Sequence, residues 1–325
     1  MTAPPATRGA GESRPFLVAD TLLPVRYGVT GAAGFIGSHL SEELNRRGHE
    51  VVGFDSFTDY YDIALKELNA AELDVRRVDL ATDALEFSEL DGLFHLAGQP
   101  GVRSFGDVFG LYVERNVLAT QRVFEAAARD GVRVVLASTS SIYGDAEAYP
   151  TPEDTTPRPL SPYGITKLAC EHLAYAYEKG FGLDCVVLRY FSVYGPRQRP
   201  DMAFTRLAHA LADGRTFELY GDGEQSRGFT YVGDIVDGTI RAMDHGSGTY
   251  NIGGATEATM NEVIALLEEV SGRKLDVQRT GVAKGDVRRT NADTTRLRTD
   301  VGWVPKVNLR DGLEAQWRWA IGEDT

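Results

Sequence analysis

Cysteine is scarce in this chain. Only Cys170 and Cys185 occur among its 325 residues, too few for a disulfide framework and without the close pairing of a metal site, so we predict no metal. Long apolar runs are also missing, and no segment is predicted to cross a bilayer. These absences exclude disulfide-stapled secreted domains and membrane-spanning proteins, and they favour a protein of the reducing cytoplasm.

Basic residues are outnumbered as well. The chain has 34 lysines and arginines against 47 aspartates and glutamates, and its formal net charge is -13. A surface of this sign repels a phosphate backbone, so we expect no nucleic-acid partner. An anionic small ligand would need a local basic site set against this acidic background.

Strand and helix patterns alternate through the first half of the chain. This alternation predicts repeated βαβ units and hence an α/β fold with a Rossmann-type, doubly wound parallel sheet. The predicted strands are Pro24–Thr30, Glu50–Phe54, Val75–Val78, Gly92–Leu96, Val132–Ala137 and Asp184–Tyr190. The predicted helices between them are Phe35–Arg47, Val108–Arg129 and Pro162–Lys179.

The alternation changes past about Gly195. Helical stretches there alternate with short strands and Gly/Pro turns, and they predict a smaller C-terminal α/β lobe that covers a ligand. These helices are Ala203–Asp213, Ile235–His245, Met260–Ser271 and Leu309–Ile321. The segment Met1–Leu23 is rich in Pro, Ala, Gly and Thr, and we interpret it as a flexible leader, not a signal peptide. The predicted division is therefore a leader at 1–23, a first domain at 24–194 and, at 195–325, mainly the second lobe.

The segment Gly31–Gly37 follows the first predicted strand and opens the first helix. Its Gly-xx-Gly-xx-Gly spacing allows a tight turn and close approach of a pyrophosphate to the positive helix end. Asp55 ends the next strand, where an acid can bind the adenosine ribose and repel a 2′-phosphate, which favours NAD over NADP. A glycine-rich turn without a ligand is the alternative. The predicted contacts of this loop are Gly31, Ala33, Gly34, Phe35, Ile36, Gly37 and Asp55, which makes 24–194 the NAD-binding domain.

Two further strand ends are weaker candidates for the same cofactor. Asp79 and Leu80 are predicted to flank the adenine, and Leu96, Ala97 and Gly98 to lie beneath the ribose and nicotinamide. A strand-end acid and a turn of small residues are also common structural features, so neither group is specific by itself.

A tyrosine and a lysine four residues apart, Tyr163 and Lys167, occur in a predicted helix. Residues at this spacing share one helix face, so the ammonium can favour the phenolate, a useful base. Thr139 lies in a run of hydroxyl residues that closes a buried strand, where its hydroxyl can hold a substrate oxygen. Hydroxyls that merely complete a turn are the alternative for any single member of that run.

Taken together, these motifs resemble the extended short-chain dehydrogenase/reductase family, in its nucleotide-sugar epimerase, dehydratase and decarboxylase branch. The resemblance runs from about Val25 to Trp319 and includes Arg189–Pro196 and Tyr220–Arg227. It implies NAD held in the N-terminal lobe, a UDP-sugar under the C-terminal lobe, and a homodimer that forms through the helices at 108–129 and 162–179.

The resemblance also implies a role for individual residues. Thr139 matches the hydroxyl partner, Tyr163 the base and Lys167 its electrostatic support, which also contacts the nicotinamide ribose. Asn116 matches a residue that places the lysine. Arg227 matches an arginine that binds the phosphates of the sugar nucleotide, although a surface salt bridge is the ordinary role of a lone arginine.

The residues beside Thr139 narrow the choice among the reactions of this branch. Ser140 and Ser141 stand where dehydratases of the branch carry Asp-Glu and where decarboxylases carry a Glu at the second position. Neutral hydroxyls cannot supply a carboxylate acid or base. An epimerase needs only a pocket in which a ketone turns over, and small hydroxyls suit that task.

The segment Gly195–Phe204 resembles the matching segment of UDP-glucuronate 4-epimerases. An arginine at the position of Arg199 faces the sugar carboxylate there, although capping a helix or binding phosphate is the alternative role. Ser192 replaces an asparagine of galactose-type epimerases and leaves room for that carboxylate. The predicted substrate-binding residues are Ser140, Ser141, Ser192, Arg199, Met202, Ala203, Tyr220, Arg227 and Asp286.

Two positions depart from the pattern of the branch. Gly228 stands where an aspartate commonly follows the phosphate-binding arginine, and Ala283 stands where an arginine often contacts the nucleotide. Arg288 and Arg289 are the candidates to replace that contact.

The prediction is an isomerase that epimerises C4 of a UDP-sugar with NAD, UDP-glucuronate to UDP-galacturonate, through a transient 4-keto sugar. A UDP-glucuronate decarboxylase and a UDP-glucose/UDP-galactose 4-epimerase are the alternatives. A non-catalytic NAD-sensing protein is the alternative of another class, and it would not need Thr139, Tyr163 and Lys167 together.

Overall fold

The computed structural model describes residues 24–101, 106–281 and 288–323. The predicted leader and the predicted nucleotide contacts around Ala283 and Asp286 lie outside the described residues. Within these ranges, no helix is long and apolar enough to cross a membrane.

A seven-stranded parallel sheet, six of whose strands precede residue 194, has the strand order β10-β6-β5-β4-β1-β2-β3. The doubly wound parallel sheet predicted from the sequence is thereby confirmed. Its strands are β1 (Arg26–Thr30), β2 (Glu50–Asp55), β3 (Val75–Arg77), β4 (Gly92–His95), β5 (Arg133–Thr139), β6 (Cys185–Tyr190) and β10 (Gly248–Ile252).

Helices cover both faces of this sheet, because side chains alternate in direction along each buried strand. On β5, Val134 and Leu136 pack in one core, and Val135 and Ala137 pack in the other. The helices of the chain are α1 (Phe35–Arg46), α2 (Ile63–Ala70), α3 (Phe109–Tyr112), α4 (Ala119–Asp130), α5 (Pro162–Phe181), α6 (Ala203–Asp213), α7 (Val232–His245), α8 (Met260–Ser271), α9 (Thr295–Val301) and α10 (Leu309–Ala320).

Two helices differ from the prediction. The helix expected at Val108–Arg129 is present, but it contains a π-helical segment, Val113–Leu118, between α3 and α4. Helix α2 was not predicted, because an apolar residue lies on its exposed face and a charged residue on its buried face. Leu68 is 72% exposed and Lys66 only 6% exposed, so the apolar residues do not mark a buried face.

Two elements from beyond residue 194 belong to the large sheet and its core. Strand β10 pairs with β6 in the large sheet, and α7 packs on the same face of that sheet as α1. Both elements lie beyond residue 194, so a boundary placed there cuts the sheet. The remaining strands are β7 (Ser192–Tyr194), β8 (Phe217–Tyr220), β9 (Ser226–Tyr231), β11 (Thr256–Thr259), β12 (Val277–Thr280) and β13 (Arg289–Thr290). The second lobe has its own core, to which α6, α8, α10 and all its described strands except β13 contribute.

Candidate active site

A cavity of about 840 Å³ lies between the carboxyl ends of the parallel strands and the second lobe. This is the edge at which a doubly wound sheet binds its ligands, because the strand-to-helix loops converge there. The predicted residues that line it are Gly31, Gly34, Phe35, Ile36, Gly37, Asp55, Asp79, Leu80, Leu96, Ala97, Gly98, Thr139, Ser140, Ser141, Tyr163, Lys167, Ser192, Arg199, Met202, Ala203, Tyr220 and Arg227. Two others, Ala33 and Asn116, are buried behind the wall.

The glycine loop takes a shape that side chains would block. Gly31 has φ +74°, and a β-carbon there would lie 2.9 Å from the backbone nitrogen of Ala97. A β-carbon on Gly37 would overlap the carbonyl oxygen of Gly31. Helix α1 then starts at Phe35 with no side-chain cap and no acidic residue in its first turn, so its first N–H groups can meet a phosphate.

The carboxylate of Asp55 is held at the end of β2. Its Oδ1 accepts from the Phe57 backbone N–H (2.8 Å) and its Oδ2 from that of Ala33 (3.2 Å). A carboxylate oriented in this way has acceptor capacity left for ribose hydroxyls. The glycine loop, the uncapped helix end and this carboxylate fit an adenine dinucleotide without a 2′-phosphate.

The hydroxyl and phenol expected to do chemistry come from β5 and α5. Thr139 ends β5, where its Oγ1 accepts from the backbone N–H of Ser141 (3.1 Å). Helix α5 begins after Ser161, whose Oγ accepts from the Gly164 N–H (3.1 Å). That start places Tyr163 and Lys167 in the wall of the cavity, and Lys167 is only 3% exposed.

A buried ion pair, which the sequence did not reveal, fixes α5 against the sheet. Arg189 of β6 lies 2.8 Å from Glu171 of α5, and both side chains are 9% exposed. Ser138, beside Thr139, also donates to Glu171, and Arg189 donates to the Tyr143 hydroxyl (2.8 Å). These bonds tie the helix of Tyr163 to the strand of Thr139.

Asn116 lies in the π-helical segment and joins α5 to the loop after β4. Its Oδ1 accepts from the Gln99 N–H (2.6 Å), and its Nδ2 donates to the Gln99 carbonyl (3.1 Å) and to Thr166 Oγ1 (3.0 Å). A β-carbon on Gly98 would lie 2.9 Å from Asn116 Oδ1, so the backbone after β4 passes close to this amide. Asn116 therefore fixes the backbone of Gln99 and the side chain of Thr166, the residue before Lys167.

A fully buried histidine beneath the cavity was also missed. His95 ends β4, with Nδ1 2.7 Å from Thr30 Oγ1 and Nε2 3.0 Å from Thr120 Oγ1. Burial, and then the charge of Lys167, lower the pKa of His95 to about 3. The ring is therefore neutral at physiological pH. Its only sequence signal was a polar residue in a buried strand.

We expect the free energy of unfolding to fall as the pH is lowered from 6.5 towards 4. The folded-state pKa values of His95 (about 3) and His39 (about 4) lie below the ordinary histidine pKa of 6.5, so the unfolded chain binds protons first. Each histidine then removes about 1.4 kcal/mol per pH unit. Urea unfolding at pH 7.5 and 5.5 measures the loss, and His95→Asn should reduce it. Equal stability at both pH values would contradict the neutral assignment.

The substrate side of the cavity holds Arg199. Its Nε and Nη2 donate to Asp201 (2.9 and 3.0 Å), and its guanidinium lies 5.9 Å from the ring centroid of Tyr60. The Tyr60 hydroxyl reaches Asp201 from the loop after β2 (3.4 Å). The structure thus places Arg199 in the cavity as predicted, with a carboxylate partner that was not predicted.

Of the two departures at the nucleotide side, the one at Gly228 has a structural account, and Ala283 lies outside the described residues. A β-carbon on Gly228 would lie 2.7 Å from Asn291 Oδ1 and 2.8 Å from the Gly254 Cα, so an aspartate does not fit. Arg289, suggested as a replacement contact, pairs with Glu257 (2.6 Å) and does not line the cavity. Arg288 is 80% exposed and also lies outside the lining. The unpredicted basic residues that do line the cavity are Lys66, Arg115 and Arg206.

Known proteins resemble this chain over most of its length. The model of the NAD dependent epimerase/dehydratase family matches residues 28–253. The uncharacterized UDP-glucose epimerase YtcB of Bacillus subtilis (strain 168) is 42% identical over 88% of this chain and 94% of its own. The UDP-glucuronate 4-epimerase of Thermodesulfobacterium geofontis (strain OPF15) is 36% identical over 90% of this chain and 95% of its own.

A solved structure is similar in fold as well as in sequence. The UDP-glucuronic acid 4-epimerase of Bacillus cereus, crystallised with UDP-glucuronic acid and NAD, superposes with a TM-score of 0.88. It is 38% identical, and the match covers 91% of this chain and 99% of that one.

Proposed function

The chain belongs to the NAD dependent epimerase/dehydratase family, and we propose that it interconverts UDP-glucuronate and UDP-galacturonate. It is an NAD-dependent isomerase of the UDP-sugar 4-epimerase type, since its relatives and structural neighbours share that activity and cofactor. The observation that carries the choice of sugar is Arg199 in the cavity wall, in a site whose hydroxyl cluster lacks a carboxylate. An arginine in that position suits a sugar acid.

The chemistry we propose runs through three side chains. NAD⁺, held by the glycine loop and Asp55, would supply the acceptor and donor of hydride for C4. Tyr163, as phenolate, removes the proton of the C4 hydroxyl, and the Lys167 ammonium stabilises that phenolate. Thr139 holds the C4 oxygen by a hydrogen bond. After the 4-keto sugar has turned over, Tyr163 returns the proton to the same oxygen on the inverted centre, so no net oxidation occurs.

Arg199 has a second task in this proposal. The 4-keto sugar of a uronic acid is a β-keto acid, which tends to lose CO₂. Ion pairing with Arg199 holds the carboxylate away from the orientation needed for that loss. Ser140 and Ser141 supply no general acid or base that would catalyse elimination from the 4-keto sugar.

The test is the product formed from each sugar and its dependence on Arg199. We expect wild-type protein to convert UDP-glucuronate to UDP-galacturonate by NMR. Arg199→Ala should lower kcat/KM for this substrate by about 100-fold, as loss of a buried charge partner does, and should spare UDP-glucose. Arg206→Ala is the matched control, since Arg206 also lines the cavity and should affect both sugars alike. UDP-xylose and CO₂ as wild-type products would favour the decarboxylase.

One observation favours a second candidate, a UDP-glucose/UDP-galactose 4-epimerase. The bidentate pair with Asp201 already neutralises Arg199, so a neutral hexose meets no unpaired charge. A wild-type preference for UDP-glucose over UDP-glucuronate would support this activity and overturn the role given to Arg199.

We also propose that the protein is a cytoplasmic homodimer. Apolar side chains on the segment before α4 and on α5 are exposed, which is costly unless a partner covers them. They are Val108, Phe109, Val113, Leu118, Ile165 and Tyr175. Both cysteines are buried and free, as a reducing compartment allows.

The oligomeric state should respond to one charge in this surface. We expect the wild-type protein to sediment as a dimer at micromolar concentration and Leu118→Glu to sediment as a monomer, because Leu118 is 44% exposed and a charge there opposes burial. Leu68→Glu is the control, at an exposed leucine of α2. A monomeric wild-type protein would contradict the proposal.

A further inference from the structure

Arg197, two residues before Arg199, has an unusual backbone. Its φ is +62°, in the left-handed region that side-chain-bearing residues rarely adopt. Such strain persists only where surrounding contacts over-determine it, and it concentrates at functional sites. Arg197 is therefore a position at which the fold imposes a conformation.

Helix α1 supplies the contacts that hold Arg197. Its Nη1 and Nη2 lie 2.5 and 2.6 Å from the two carboxylate oxygens of Glu42, a forked pair. Nη2 also lies 2.8 Å from His39 Nδ1, and His39 Nε2 donates to the Pro196 carbonyl (2.9 Å). His39 and Glu42 share one face of α1, being three residues apart.

The neutral form of His39 is the one that these bonds require. Arg197 can only donate, so Nδ1 must accept and the ring proton must lie on Nε2. Burial, and then the charge of Arg197, lower the pKa of His39 to about 4, with Glu42 opposing. The ring of Phe35 packs edge-on against His39 at 6.0 Å between centroids.

The residue between the two arginines is fixed from the other side. Gln198 is buried, and its Nε2 donates to the Val193 carbonyl (3.0 Å) while its Oε1 accepts from the Thr205 N–H (3.0 Å). Thr205 Oγ1 donates in turn to the Gln198 carbonyl (2.8 Å). The backbone that presents Arg199 is thus held between α1 and α6.

We propose that His39, Glu42 and Arg197 form a latch that positions Arg199 for the sugar carboxylate. The latch connects the helix whose first turn faces the cofactor to the loop that carries the carboxylate-binding arginine, across 155 residues of sequence. Arg197 and Glu42 act through Arg199 and need not touch the substrate. This inference rests on the proposed function, since it assumes that Arg199 binds a sugar acid.

The test measures binding to the NAD-loaded Tyr163→Phe protein, which does not depend on turnover. We expect Glu42→Gln to weaken UDP-glucuronate binding about tenfold, as a displaced guanidinium would, and to leave the Kd of UDP-glucose unchanged. Asp237→Asn is the matched control, because it breaks an ion pair at the C-terminal end of α1, with Arg47 (3.0 Å), and should change neither Kd. In an Arg199→Ala background, Glu42→Gln should have no further effect on UDP-glucuronate.

Two results would overturn the latch. One is an unchanged Kd for both sugars in Glu42→Gln, and the other is equal weakening of both sugars, which indicates a general structural role. Failure of the proposed function has a different signature. Wild-type protein would then form no UDP-galacturonate, or Arg199→Ala alone would leave the Kd ratio unchanged. Absence of UDP-glucuronate binding would overturn both.

Discussion

Replacing Tyr163 with phenylalanine should lower kcat for C4 epimerisation by about 1,000-fold to 10,000-fold, because the change removes the proposed general base. The ring stays, so the wall of the cavity keeps its shape. NAD should stay bound, since most of its predicted contacts, among them the glycine loop and Asp55, do not involve the Tyr163 hydroxyl. NMR of the sugar products measures turnover, and the absorbance of nucleotide released by denaturation measures the bound cofactor.

Tyr177→Phe is the matched control for this experiment. Tyr177 lies on the same helix, and its hydroxyl accepts from Gln121 Nε2 (2.7 Å) outside the cavity. We expect this variant to lose about 1 kcal/mol of stability and to keep its kcat. Near-normal turnover in Tyr163→Phe would reject the tyrosine as base, and loss of bound NAD would show that the substitution had disturbed the cofactor site.

Gly37→Ala should yield a protein without bound NAD and therefore without turnover. The new β-carbon would meet only backbone, since it would overlap the Gly31 carbonyl oxygen and lie 3.1 Å from the Ala32 Cα. Backbone cannot rotate aside as a side chain can, so the loop must move. Overpacking of this kind costs about 1–3 kcal/mol. Nucleotide content after purification and the Tm measure the two effects.

Gly180→Ala is the control for adding a methyl group to a helix. Gly180 lies within α5, and a β-carbon there has no neighbour within 4 Å. Alanine should therefore raise stability by about 1 kcal/mol and leave NAD in place. Normal NAD content in Gly37→Ala would contradict the steric account of the loop.

Some features of this protein are local enough to be determined by the sequence. The turn at Gly31–Gly37 depends on backbone conformations that glycine allows, and those requirements are visible residue by residue. The alternation of apolar strands and helices predicted the parallel sheet, whose strand ends then gathered the predicted residues around one cavity. The spacing of Tyr163 and Lys167 placed both on one wall, because residues four apart share one face of a helix.

Other features depend on segments that are distant in sequence. No periodicity could predict that Asp201 and Tyr60 meet at Arg199, or that Glu171 of α5 pairs with Arg189 of β6. The inverted pattern of α2 arises because Lys66 turns inward to the carbonyl of Thr58 (2.7 Å), against the usual preference of lysine for water.

The motifs that point to the reaction were therefore determined locally, and the surroundings of Arg199, the proposed specificity residue, were decided by tertiary structure. A turn or a helix face needs only neighbouring residues, so the cofactor loop and the Tyr163–Lys167 pair could be recognised in the sequence. The environment of Arg199 depends on how the second lobe packs on α1, where Glu42 meets Arg197 at 2.5 Å. Ion pairs of this kind act over a few ångströms in space, and only the folded chain brings their partners within that range.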